Sequence, residues 1–301
     1  MPENRFGAMP YLALILNALV WGVSWWPLRE LQNEGLHPLW SSSATYLLGA
    51  LVMLCFMPKV WGEFLQHKPL WLLALAAGTT MVGFNWGVSI GEVIRVVLLF
   101  YLMPIWAVLL ARLVLKEPIT GKAVVRVGLA FAGAVLLLSP NGELGFPVPS
   151  NLAEWLGLMG GAAFALNNIM LRHQEKRTAQ ARLFAMFVGG IVAPMVVATS
   201  LSLVLGDGNS FVQWPLVPGV YGLLVLSGFA VTLLVANYGL QYGASRLPAN
   251  VTSVVMLSEV VFATLSAILL TNEVLTLQVG IGGAMILLAA ALSALESNDA
   301  H

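Results

Sequence analysis

Apolar residues fill this chain in long unbroken runs, and polar residues gather in the short segments between them. The runs fall at roughly 9–28, 38–57, 70–91, 93–114, 121–139, 152–171, 183–205, 217–243, 248–270 and 276–295. Each is close to the ~20 residues a helix needs to cross a bilayer core. The pattern therefore predicts an all-α polytopic membrane protein with ten transmembrane helices. The first run follows Arg5 and superficially resembles a secretory signal. It extends to Leu28, ends in Trp25, Trp26, Pro27 and Arg29, and lacks a small-residue cleavage site, so it reads as a retained first helix. The third and fourth runs meet at a tight turn around Glu92. The longest connection, Ser139 to Asn151, is rich in Pro, Gly and Asn and divides the chain into two regions, 1–140 and 150–296.

Composition sharpens the class. Apolar residues make up 59% of the chain and charged residues 9%, with mean hydropathy +0.86. A soluble domain carries about 25% charged residues, so a soluble enzyme is excluded. Net charge is zero, leaving no basic surplus for nucleic acid. The single cysteine, Cys55, permits no intrachain disulfide, and the scattered His37, His67, His173 and His301 form no metal-ligand cluster. Sorting Lys and Arg by alternate sides of ten spans puts Arg5, Lys59, Lys68, Arg112, Lys116, Lys122, Arg126, Arg172, Lys176, Arg177, Arg182 and Arg246 on one side. Only Arg29 and Arg95 fall on the other. The positive-inside rule then places both termini in the cytoplasm.

The two regions also resemble each other. At an offset of 156 residues Gly83 matches Gly239, Gly87 matches Gly243, Ser89 matches Ser245, Glu117 matches Glu273 and Thr120 matches Thr276. A weaker match at offset 143 pairs Leu28-Arg29 with Leu171-Arg172. Five helices per half invert the second half relative to the first. Inverted repeats are the architecture of alternating-access transporters, which bind cargo near the midplane between halves. The competing reading is a duplicated passive scaffold.

The run from Pro104 to Lys116-Glu117-Pro118-Ile119-Thr120 resembles the pattern of the drug/metabolite transporter superfamily: a mid-helix proline, a small apolar run, then Glu and a Thr. Glu259 through Glu273 to Thr276 repeats it, and Trp21-Gly22 resembles the family's opening pair. The whole chain is similar to the ten-helix EamA-type branch, most of all to bacterial exporters of aromatic and other amino acids. The resemblance implies an inner-membrane exporter of small metabolites, with an exporter of lipophilic cations coupled to protons as the alternative. It also implies no cofactor. The chain departs from the family at Val260, where the second half often has proline, and at Ser41 to Ser43, which precede a second helix without the arginine many relatives carry.

Several polar residues interrupt the apolar runs and are candidates for the site. Glu259 lies near the middle of the ninth run, where an ionisable group costs roughly 2.5–3.5 kcal/mol on insertion scales and marks function by default. It reads as a protonatable switch, as a partner for a substrate ammonium, or as a hydrogen-bonding carboxyl without a ligand. Asn17, Trp21 and Ser24 share a face of helix 1. Tyr46, Tyr101, Asn85 with Ser89, Asn167 and Asn168, Asn237 with Gln241, and Tyr238 with Tyr242 lie in later runs. Amides in hydrocarbon need partners, so these faces are expected to look inward. The predicted substrate site comprises Trp21, Ser24, Tyr46, Asn85, Tyr101, Asn168, Asn237, Tyr238, Gln241 and Glu259. Such a ring of amides, hydroxyls and aromatic faces suits a zwitterion, with broad tolerance because no mid-span Arg or Lys clamps a carboxylate. The alternative for each residue is plain interhelical bonding, worth about 0.6–2 kcal/mol.

Trp40, Trp61, Trp71, Trp155 and Trp214 sit at run ends as interface anchors, whereas Trp21, Trp86 and Trp106 lie deeper. Pro104 and Pro194 are expected to kink helices 4 and 7, and Pro27 the outer end of helix 1. Gly87-Val88-Ser89-Ile90-Gly91 matches the G-x-S-x-G nucleophile pattern. That motif needs a strand–turn–helix elbow and a histidine base, and neither is available inside an apolar helix. Gly121-Lys122 lacks the rest of a phosphate loop, so transport would draw on a gradient of substrate or protons. One chain supplies both halves, so a monomer is expected to suffice.

Overall fold

The computed structural model describes residues 8–110, 112–113, 120–139, 148–174, 176–205, 212–244, 246–247 and 249–296. These residues are helical almost throughout: α1 (Met9–Val23), α2 (Trp25–Asn33), α3 (Pro38–Phe56), α4 (Lys59–Gln66), α5 (Pro69–Ile90), α6 (Val93–Phe100), α7 (Met103–Leu110), α8 (Gly121–Leu138), α9 (Leu152–His173), α10 (Ala179–Leu205), α11 (Val220–Ala244), α12 (Ala249–Met256), α13 (Ser258–Thr271) and α14 (Leu277–Glu296). Eight helices are long and apolar enough to cross a membrane: Met9–Asn33, Pro38–Phe56, Pro69–Ile90, Val93–Leu110, Gly121–Leu138, Ala179–Leu205, Val220–Ala244 and Val254–Thr271. Leu277–Leu292 is a shorter apolar helix. The 22-residue α9 is long enough to cross but carries Glu154, Asn167 and Asn168. The protein is thus a polytopic helical membrane protein. Its outward leucines and valines, such as Leu203, Val204, Leu224 and Leu269, are exposed because their solvent is lipid.

Three spans are broken, two of them by proline. A proline removes the hydrogen bond to the carbonyl four residues earlier and clashes with it. Pro27 does this to Val23, where α1 ends, and the Ser24 hydroxyl caps the turn by donating to the Trp21 carbonyl at 2.7 Å. Pro104 does it to Phe100, where α6 ends; Tyr101 and Leu102 fill the break before α7. The third break, at Leu257 between α12 and α13, has no proline. There the Ser258 hydroxyl donates to the Val255 carbonyl at 2.7 Å, competing with the backbone ladder. Pro194, by contrast, lies inside α10, which remains one helix.

Glycine sets the packing. The central α5 lies between α9 and α10, α1 packs on α11 and α13, and α8 pairs with α14. A Cβ at Gly83 would stand 2.6 Å from the Leu156 carbonyl oxygen of α9, and one at Gly239 3.0 Å from the Ala13 carbonyl oxygen of α1. Gly239 lies 156 residues after Gly83, and Ala13 lies 143 before Leu156. The next turn repeats the correspondence: Gly87 faces the Ala153 carbonyl, and Gly243 faces that of Pro10. Where α3 crosses α10, the Tyr46 ring covers Gly190 and the Phe187 ring covers Gly49, with the two rings edge-to-face at 5.3 Å. Where α8 crosses α14, Gly133 and Gly282 each face the other's carbonyl. Even the caps correspond: Thr120 accepts from the Ala123 amide and Thr276 from the Val279 amide, both at 3.2 Å.

Candidate functional site

Two of the breaks meet at the centre. Tyr101, in the α6–α7 break, is buried, and its hydroxyl donates to Glu259 Oε2 at 3.1 Å. Glu259 is buried two residues after the α12–α13 break. The break at Tyr101 and the break at Leu257 are 156 residues apart, the offset that relates the two halves. Gly22 of α1 lies against the backbone of Glu259, where a Cβ would meet its carbonyl oxygen at 2.6 Å. A chain of edge-to-face rings leads away from the carboxyl: Tyr101 to Phe100 at 5.9 Å, Phe100 to Phe84 at 4.9 Å, and Phe84 to Trp21 at 6.2 Å. Gly161 of α9 stands on the Phe100 carbonyl, the one Pro104 deprives of its helical donor.

The structure thus brings together Trp21, Tyr101 and Glu259 among the sequence-predicted residues. Asn85 and Tyr46 belong to a neighbouring patch on α5 and α3. Asn85 Nδ2 donates to Ser42 Oγ at 3.0 Å while its Oδ1 is buried without a partner. The Tyr46 hydroxyl meets Met81 Sδ at 2.7 Å, and its ring is locked over Gly190. Ser24 is spent on its own helix, as is Asn237, whose Nδ2 donates to the Leu233 carbonyl at 2.8 Å. Gln241 is half-buried. Asn168 and Tyr238 lie on exposed helix faces, whereas their neighbours Asn167 and Asn237 are buried. Asn17 has the sharpest unmet need: it is fully buried, and neither amide atom has a hydrogen-bond partner. It shares a face of α1 with Trp21, which was the sequence signal for it. Phe84 and Phe100 gave no such signal, because aromatic residues in an apolar run look like core.

Outside the spans, His37 caps α3 by accepting from the Leu39 amide at 3.2 Å, edge-on to Trp86. Burial pushes its pKa down to about 4, so the imidazole is neutral and free to accept. Among the described residues no group of three or more His, Cys, Asp or Glu could hold a metal ion.

The broken spans meet at a buried carboxyl, and comparison with known proteins says what such a chain is similar to. Residues 8–139 match the EamA-like transporter family. Two Helicobacter pylori proteins, each described as an uncharacterized transporter, are 24% identical over 262 residues and 25% identical over 265. Each alignment spans 85% of this chain and 83% of the relative. A crystal structure sharing 16% identity superposes with TM-score 0.57 over 97% of this chain and 98% of the other, which shows a common fold. Together these likenesses support a membrane transporter and point away from an enzyme.

Proposed function

We propose that this transporter exports amino acids and related small metabolites across the bacterial inner membrane, with broad specificity and by alternating access. The observation that carries the reading is the buried Tyr101–Glu259 hydrogen bond, which joins the breaks of two helices at corresponding places in the two halves. Discontinuous helices near the midplane are where transporters of inverted-repeat design hold their cargo. The glycine contacts that recur at offsets 156 and 143 support two inverted five-helix halves, 1–140 and 150–296. The charge sorting supports cytoplasmic termini. Asn17, on the α1 face that carries Trp21, keeps both amide atoms without partners, and a substrate ammonium or carboxylate offers the missing bonds. With both halves on one chain, a monomer is sufficient.

A second reading, proton-coupled export of lipophilic cations, rests on the aromatic chain from Trp21 to Tyr101 ending on the Glu259 carboxyl. Ring faces and one carboxyl suit an apolar cation. Uptake of a radiolabelled amino-acid panel into proteoliposomes, with and without a pH gradient, separates the two. Counterflow of several neutral amino acids at similar millimolar levels is expected. Strict selection of one amino acid, or uptake of cations alone, would sink the first reading.

A further inference from the structure

We propose that Arg29 and Glu273 form the outer gate of the transport cycle, a two-sided clamp on the turn between α5 and α6 that must release before the centre opens outward. The proposal rests on the transport reading above.

Only Gly91 and Glu92 separate the two helices. A helix end leaves backbone groups without intrahelical partners, and this turn presents both kinds within seven residues. Arg29 takes the carbonyls: its Nε and Nη2 donate to Val88 O at 3.3 and 3.1 Å, and Nη2 donates to Gly91 O at 2.5 Å. Glu273 takes the amides: its two carboxylate oxygens accept from Val93 N at 2.9 Å and Ile94 N at 3.1 Å. A carboxylate across adjacent amides at a helix start is favoured by the helix dipole. The Arg29 guanidinium also lies over the Trp25 ring at 4.9 Å.

Neither clamp is local. Arg29 comes from the end of the first span and Glu273 from the α13–α14 connection. The nearby Glu92 is instead paired with Arg95 at 3.2 Å. The clamp therefore ties together three parts of the bundle that must separate if the centre is to reach this side. A cavity of about 610 Å³ adjoins the clamp, lined by Arg29, Glu92, Asn151, Thr271 and Glu273 among others, while Ser42 of α3 is buried against Asn85, five residues before α5 ends. Water stands ready to replace each bond as it breaks, so the charged hydrogen bonds hold firmly when dry and release without orphaning a group. Interdigitated apolar side chains would not release so readily.

The sequence holds the same set once more. Arg172 lies 143 residues after Arg29, Glu117 lies 156 before Glu273, and residues 244–250 lie 156 after 88–94. The Arg172 side chain and Glu117 fall outside the described residues.

The test uses the full chain in right-side-out vesicles, with Cys55→Ser as background and Ser42→Cys as reporter, probed from outside with a membrane-impermeant maleimide. Arg29→Gln and Glu273→Gln should each speed labelling about 5- to 150-fold, the typical range of coupling between two sites. Where Arg29→Gln does not fold, Arg29→Lys serves, because an ammonium cannot fork across two carbonyls. Unchanged labelling in monodisperse Arg29 and Glu273 variants overturns the gate, as does lowered thermal stability without a change in labelling. Labelling needs no substrate. A shift in labelling without amino-acid transport would therefore refute the substrate reading alone, and transport without a shift would refute the gate alone.

Discussion

The α8–α14 crossing and the centre of the bundle lie in the same membrane and meet their polar needs in opposite ways. At the crossing, Gly133 and Gly282 bring the two backbones together, and Leu137, Ile286 and Ala289 fill the rest with no exposure. There Gln278 donates from Nε2 to the Leu136 carbonyl at 2.6 Å and the Ser139 carbonyl at 2.7 Å. At the centre, Tyr101 donates to Glu259, while Asn17 on the adjoining α1 is not satisfied at all. A contact with nothing left to bond is built to stay. A contact with spare donors and acceptors is built to take on something else, whether cargo or another conformation.

The sharpest way to break this contrast is at the crossing. Gly282→Leu puts a large side chain where a Cβ would already stand 2.8 Å from the Gly133 carbonyl. Overpacking costs about 1–3 kcal/mol, and more against backbone that cannot move. Loss of monodisperse protein in gel filtration is expected; a variant that purified with wild-type melting temperature would show the crossing to be loose.

The next effect is at Glu259. Glu259→Ala leaves the buried Tyr101 hydroxyl without its acceptor, at about 1–3 kcal/mol. Folding yield or transport should fall by about tenfold or more on that account. Glu259→Gln keeps an acceptor and should retain counterflow. If Gln kept counterflow but lost all accumulation driven by a pH gradient, the proton-coupled reading would replace the one favoured here.

A smaller, comparative effect is expected from Tyr101→Ala against Leu288→Ala on the exposed face of α14. The first should weaken transport by several-fold, consistent with about 1 kcal/mol per lost hydrogen bond. The second should leave it unchanged. Equal losses would erase the distinction between centre and brace.

The smallest effect is in pH. His37 has its pKa depressed in the folded state, so its contribution to stability is complete above its ordinary value of 6.5. It is lost as pH falls from there toward about 4. Melting temperature should therefore drop across that window, and His37→Asn should flatten part of the drop. An unchanged slope in the variant would mean that other groups carry it.

How far these contrasts were legible in the sequence depended on what kind of signal each feature leaves. Hydropathy marked the spans well, because lipid imposes length and apolarity on each separately. Pro27 and Pro104 announced two breaks. The break at Leu257 stayed hidden, since Val260 gave no warning and a serine inside an apolar run has several ordinary uses. Tyr101 and Glu259 were each visible as polar residues at depth, but their bond joins residues 158 apart in the chain, a pairing that periodicity cannot supply. Asn167 and Asn168, or Asn237 and Tyr238, are about 100° apart on their helices, and composition alone could not choose which of each pair is buried. The α3–α10 crossing was invisible for a different reason: Tyr46 corresponds to Phe187 by position and contact, not by identity. Arg29 and Glu273 were counted as outer charges, but their partners are backbone groups, which every residue has and no sequence advertises.

The α3–α10 and α8–α14 crossings, each pairing one helix from either region of the chain, have one more consequence. If the cycle exchanges the conformations of two inverted halves, most contacts trade places with a counterpart elsewhere. A contact that is its own counterpart has nowhere to go. These crossings are the fixed points of the exchange, as the pins of a hinge are. Spin-label distances measured across them should hold constant from one state to the other while every other interhelical distance redistributes around them.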